Sequence, residues 1–191
     1  MNAEGPNVHR RLAAVLAADV VGYSRLMEVD EAGTLARLKT IRLELIDPAI
    51  TKCKGRIIKT TGDGLLVEFQ SVTEALRCAV DFQERMARRN RDMAASRALL
   101  YRIGINLGDV IVEDNDIFGD GVNVAARLEA LAEPGGICIS RTVRDQIRDK
   151  LAYQSQRNRL IAGRVDRGFR PIAGPGDRDL PALFVFGAVL L

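Results

Sequence analysis

Residues 12–21 read LAAVLAADVV, an apolar run broken by a single carboxylate, Asp19, and closed by Gly22. Its length and composition read as a buried central strand. Downstream, Leu35, Leu38, Ile41, Leu45 and Ile46 recur at helical spacing over 31–52, and Gly55 ends that element. Residues 56–61 and 65–70 are strand-like runs on either side of Gly62-Asp63-Gly64, the spacing of a β-hairpin. A helix follows over 71–93 with Ala75, Leu76, Ala79, Phe82 and Met86 on one face. Residues 99–112 predict a long strand, 120–131 a helix that Asp120 can cap, 137–139 a short strand, and 140–151 a helix capped by Ser140. The order is strand, helix, hairpin, helix, strand, helix, strand, helix. It predicts an α+β domain with helices on one face of a mainly antiparallel sheet.

The 191 residues, 47% hydrophobic and 28% charged, suffice for one sizeable core and exclude disordered and fibrous classes. No apolar run approaches the roughly 18 residues of a membrane span, and residues 12–18 meet Asp19 without a cleavage site, which argues against a signal peptide. Cys53, Cys78 and Cys138 are odd in number and widely spaced, arguing against a disulfide framework or zinc site and for a reducing cytoplasm. His9, the one histidine, lies near the N-terminus, so no histidine-based triad can be built. The chemistry must use carboxylates, Lys and Arg.

Net charge is +3, but residues 1–154 hold 22 cationic and 22 anionic side chains, whereas 155–191 hold six Arg against three Asp. That tail has no Lys or Glu and reads as a different kind of sequence from residues 1–154. With aromatics at 5%, a basic RNA-binding sheet is a poor explanation, and no nucleic-acid partner is expected.

A carboxylate inside an apolar strand costs several kcal/mol unless it is paired or binds a cation. Asp19 therefore reads either as a salt-bridge partner of a neighbouring Arg or as a metal ligand. Asp63, between two glycines, taken alone reads as turn chemistry. Together they say more, because a hairpin paired beside the first strand can bring its turn next to Asp19. Two adjacent carboxylates repel unless a divalent cation lies between them, which points to a hard oxygen site for Mg²⁺ or Mn²⁺. Asn123 and Arg127, four apart, share one helix face. Beyond Gly22, backbone N–H groups at Tyr23 and Ser24 can face phosphates as a helix begins.

The segments AVLAADVVGYSRLM (14–27), IIKTTGDGLLVEF (57–69) and YRIGINLGDVIVEDNDIFGDGVNVAARLEALAEPGGICIS (101–140) resemble the class III adenylyl/guanylyl cyclase catalytic domain, particularly its bacterial branch. The resemblance covers about residues 8–151 and implies a ferredoxin-like, palm-type fold. It implies Asp19 and Asp63 as ligands of two Mg²⁺ or Mn²⁺ ions per site, Lys59 and Asp116 as base-reading residues and Arg102 as a phosphate contact. Asn123 and Arg127 would orient the ribose and stabilise the transition state. A Lys donor beside a carboxylate acceptor suits N1 and the N6 amino group of adenine, so the implied reaction is ATP to cyclic AMP and pyrophosphate. The family builds its site from two domains. One copy of each residue set implies a head-to-tail homodimer. A guanylate cyclase is disfavoured by Lys59 and Asp116, and a diguanylate cyclase by the lack of a GG[DE]EF signature. An inactive nucleotide-binding regulatory dimer is the alternative from another class.

The family's late strands carry a triphosphate-binding Lys, but here no lysine follows Lys150. Arg159, Arg164 and Arg167 sit in no matching motif. The expected organisation is a catalytic domain over 1–154 and a divergent or frame-shifted tail over 155–191. Translating the encoding DNA in its other two frames tests the frame shift, which fails if no V-K-N-like segment emerges.

Overall fold

Strand β1 spans His9–Val20 and starts three residues earlier than its hydropathy suggests, because His9, Arg10 and Arg11 pair with Val112, Ile111 and Val110. The structure is a computed structural model describing residues 9–94, 97–113, 115–154, 169–172 and 183–186. After β1 come α1 (Tyr23–Val29), α2 (Glu31–Ile41), α3 (Asp47–Lys52), β2 (Arg56–Thr61), β3 (Gly64–Phe69), α4 (Val72–Asn90) and β4 (Tyr101–Glu113). They are followed by β5 (Asp116–Phe118), α5 (Asp120–Leu131), β6 (Ile137–Ile139), α6 (Arg141–Gln154), β7 (Phe169–Ile172) and β8 (Leu183–Phe186). The sheet runs β2-β3-β1-β4-β6-β8-β7, with β5 added to β4. Among the described residues only β4 and β6 pair in parallel, so the sheet is mainly antiparallel as expected. Strands β7 and β8 carry it past residue 154. Arg159, Arg164 and Arg167 lie outside the described residues.

The expected helix over 31–52 is divided. Residues Arg42–Ile46 form a π-helical turn, in which the Asp47 N–H donates to the Arg42 carbonyl five residues back. Pro48 explains it: without an N–H, and with a ring that crowds the carbonyl four residues earlier, it cannot continue the α ladder. Leu35, expected on the inner face, is partly exposed. Ser140 Oγ lies 3.4 Å from the Val143 N–H, as predicted, and Ser71 caps α4 through its Oγ, 3.2 Å from the Glu74 N–H, a cap the sequence reading did not assign. Asp120 does not cap α5. Gly119, at φ 106°, takes that position and places Asp120 in the first turn, where its charge favours the positive helix end.

Alternation along β1 assigns the two faces. Ala14, Leu16, Ala18 and Val20 join the large core with Ile41, Ile50, Phe82, Met86, Val143 and Ile147, from α2, α3, α4 and α6. Ala13, Val15 and Ala17 face the other way, with Val110, Ile117 and Ala125 of α5. Thus one helix departs from the expected one-sided arrangement. Its cause lies in β4, where Arg102, Gly104, Asn106 and Gly108 alternate toward α5. A Cβ on Gly104 would stand 2.2 Å from both the Ala125 carbonyl and the Glu129 nitrogen. Asn106, buried, donates from Nδ2 to the Gly121 carbonyl at 3.1 Å. The missing side chain allows close approach, and the amide fixes the helix start.

Candidate active site

The face shared with α5 is left uncovered over β2, β3 and the end of β1, forming a cleft of about 310 Å³. Its lining includes Asp19, Lys59, Asp63, Leu66 and Glu129. Asp19 follows Val15 and Ala17 on the same face and lies opposite Arg102 in the β1–β4 register. Asp63 occupies the β2–β3 turn, whose Gly62 takes φ 61°, a left-handed conformation that suits glycine. Pairing of β3 with β1 carries this turn to Asp19, as the hairpin argument requires.

The two carboxylates interact. Burial, then the adjoining Asp19 carboxyl, pushes Asp63 up to about 6, although backbone N–H groups of Asp63 and Val20 favour its charged form. A divalent cation between the pair would relieve that repulsion, so the residues fit a metal. Among the described residues no group of three or more His, Cys, Asp or Glu side chains could hold one. The remaining ligands would have to come from substrate and water. Asp19 also satisfies its other reading: Arg102 Nη2 donates to its Oδ2 at 3.0 Å.

Lys59 reaches the cleft through a β-bulge. Strict alternation would put it on the face of Ile57, in the helix-covered core. Instead Ile57 pairs with Val67 and Lys59 with Leu66, so Ile58 is the extra residue and Lys59 turns to the cleft face. There its Nζ lies 2.7 Å from Asp116 Oδ2 and 5.6 Å from the centre of the Phe118 ring. The Lys59 ammonium holds the Asp116 carboxyl below its ordinary range, and Asp116 Oδ1 also accepts the Ile117 N–H at 2.8 Å. Sequence reasoning paired Lys59 with Asp116 but missed Phe118, an aromatic that remains 43% exposed. Its signal was an aromatic two residues beyond Asp116.

Asn123 and Arg127 are exposed on α5, and neither lines this cleft. The structure therefore brings together Asp19, Asp63 and Arg102, joins Lys59 to Asp116 at the same cleft, and leaves Asn123 and Arg127 on another surface. Sequence reasoning also missed Glu129. Its Oε1 stands 3.1 Å from Arg102 Nε, and burial, opposed by Arg102, pushes its carboxyl up to about 7.

A family model described as "Adenylate and Guanylate cyclase catalytic domain" matches residues 9–167. "Putative adenylate cyclase 3" of Rhizobium meliloti is 53% identical over 141 residues, 74% of this chain and 24% of that protein. A Streptomyces coelicolor protein named "Adenylate cyclase" is 32% identical over 144 residues, 73% of this chain and 35% of its own length. The chain thus spans about a quarter to a third of these two relatives. The crystal structure of an adenylate/guanylate cyclase/hydrolase from Silicibacter pomeroyi superposes with a TM-score of 0.77 at 44% identity, covering 94% of this chain and 98% of that one.

Proposed function

Because the chain belongs to the adenylate and guanylate cyclase catalytic-domain family, we propose that it converts ATP to 3',5'-cyclic AMP and pyrophosphate, as a head-to-tail homodimer in the cytoplasm. The observation that carries the choice of ATP is the Lys59–Asp116 pair at 2.7 Å. Its donor and acceptor suit N1 and the N6 amino group of adenine, whereas guanine offers O6 and N1–H in the opposite sense. Among the described residues no helix is long and apolar enough to cross a membrane.

Asp19 and Asp63 would hold two Mg²⁺ or Mn²⁺ ions. When bound, these lower the pKa of the ribose 3'-hydroxyl and neutralise the triphosphate. Arg102, paired with Asp19 and Glu129 beside the cleft, meets phosphate charge. Lys59, Asp116, Asn123 and Arg127 of one protomer serve the nucleotide held at Asp19, Asp63 and Arg102 of the other, Lys59 and Asp116 reading the base, Asn123 orienting the ribose and Arg127 stabilising charge on the transferring phosphoryl group. The 3'-oxygen attacks the α-phosphorus and pyrophosphate leaves, so no protein nucleophile is needed. Incubation of purified protein with ATP and Mn²⁺, followed by chromatography, should yield cyclic AMP. Its absence overturns the proposal, and cyclic GMP from GTP in its place reverses the base assignment.

The absence of any lysine after Lys150 favours one second reading, a nucleotide-binding regulatory dimer without turnover. ATP binding with no product would establish it. Residues 1–154 are taken as the catalytic domain, with 155–191 its divergent or frame-shifted end.

A further inference from the structure

Glu129 is a carboxylate at the cleft that the reaction above does not use. Its side chain is only 14% exposed, yet it lines the cleft beside Asp19, Asp63 and Lys59. Arg102 is clamped between two acids from different elements, with Nη2 3.0 Å from Asp19 Oδ2 on β1 and Nε 3.1 Å from Glu129 Oε1 on α5. The second contact is a charge contact rather than an aligned hydrogen bond. Gly104 fixes where Glu129 sits, since the Glu129 nitrogen and Cα approach the position a Cβ would take there to 2.2 and 2.9 Å. The Glu129 backbone is therefore seated on β4, two residues from Arg102.

The two acids face different demands. A cation at Asp19 and Asp63 would claim the Asp19 carboxylate and weaken its hold on Arg102. A long cationic side chain without an opponent regains rotamer entropy and turns to water. Glu129 answers this problem, because among the described residues Arg102 is the cation paired with it. Resting on the cyclase reading, we propose that Glu129 is a positioning residue that keeps Arg102 beside the cleft when Asp19 turns to a cation, so that the guanidinium stays available to the triphosphate.

The test measures binding rather than turnover, by calorimetry with 3'-deoxy-ATP, which lacks the attacking hydroxyl, in Mn²⁺. Glu129→Ala should weaken binding about 10- to 100-fold, the usual effect of losing a partner behind a ligand-contacting group. Glu129→Gln should weaken it less, because its amide oxygen keeps the shape and a partial negative charge beside the guanidinium. In an Arg102→Ala background, Glu129→Ala should change affinity less than about twofold, since its effect runs through Arg102. A purely structural role would give the same loss in both backgrounds. Thermal unfolding checks that the variants fold, and Glu129→Gln carries the comparison if Glu129→Ala does not. Unchanged affinity in a folded Glu129 variant, or equal losses in both backgrounds, overturns the proposal. An unmodified chain that binds no nucleotide overturns the cyclase reading and this inference with it.

Discussion

The cleft around Asp19 and the outer face of α5, to which the proposed reaction assigns different parts of the chemistry, stand in different states. At the cleft, charges oppose one another: Arg102 against Asp19 and Glu129, Lys59 against Asp116, and Asp63 pressed against Asp19. On α5, Asn123 and Arg127 are exposed, and neither side chain engages another described residue. A group with an internal partner must exchange it for the ligand, so its position is held at a cost in affinity. A group without one gains a partner only when something arrives. The difference teaches that a single chain holds one set of polar side chains against internal partners and presents the other outward, as a site shared between protomers would require.

The largest expected effect lies in the poised half. Asp19→Ala should lower the rate of cyclic AMP formation at least about a thousandfold, several kcal/mol of transition-state stabilisation, without unfolding the protein. A folded Asp19→Ala variant with near-normal turnover would break the assignment of the cleft. Arg127→Ala should also be inactive, and mixing the two inactive proteins tests whether the halves meet between chains. Half the dimers formed by random exchange are mixed, each with one intact site, so roughly a quarter of normal activity should return, and dilution should remove it. With subunit exchange demonstrated independently, a silent mixture refutes the division. Base choice comes next: Lys59→Glu with Asp116→Cys should move the ATP to GTP preference by about a hundredfold, read as kcat/KM for each nucleotide.

The smallest effect sharpens the comparison within the sheet. Glu68 meets Arg11 and, at 2.9 Å, Arg56 on the cleft's face. Burial pushes its carboxyl up, but the two guanidinium groups outweigh that and hold it below its ordinary range. Its stabilisation is therefore complete above the unfolded value, about 4.3, and lost as pH falls through the lower folded value. Urea unfolding of Glu68→Gln should show about 1 kcal/mol less stability at neutral pH and a shallower decline in acid. An identical acid decline in both proteins would remove Glu68 from that account.

How much was legible in the sequence follows from where each signal lies. Asp19 stood out because an apolar strand has no ordinary place for a carboxylate, and the hairpin spacing supplied Asp63. The order of elements gave the mainly antiparallel sheet. The side taken by α5 was written in RIGINLG as alternating positions suited to a close helix, but apolar periodicity alone does not say which face a helix covers. Glu129 was hidden because its opponent, Arg102, lies 27 positions away on a strand, and a helical glutamate otherwise reads as a solvated one. Strand β5 has only three residues, too few for a period.

The bulge in β2 makes the tolerance of this hairpin to changes in chain length depend sharply on position. Removing Ile58 would take out the unpaired residue and leave Ile57 opposite Val67 and Lys59 opposite Leu66, each on its present face. Removing Thr60, two positions on, would draw Lys59 back opposite Leu65, whose side chain belongs to the helix-covered core, and leave Ile58, which already packs on the cleft's face, opposite Leu66 in its stead. Two deletions of equal size would then have unlike fates: the first shortens the protein with Lys59 still on the cleft's face, and the second takes its ammonium off that face and away from Asp116.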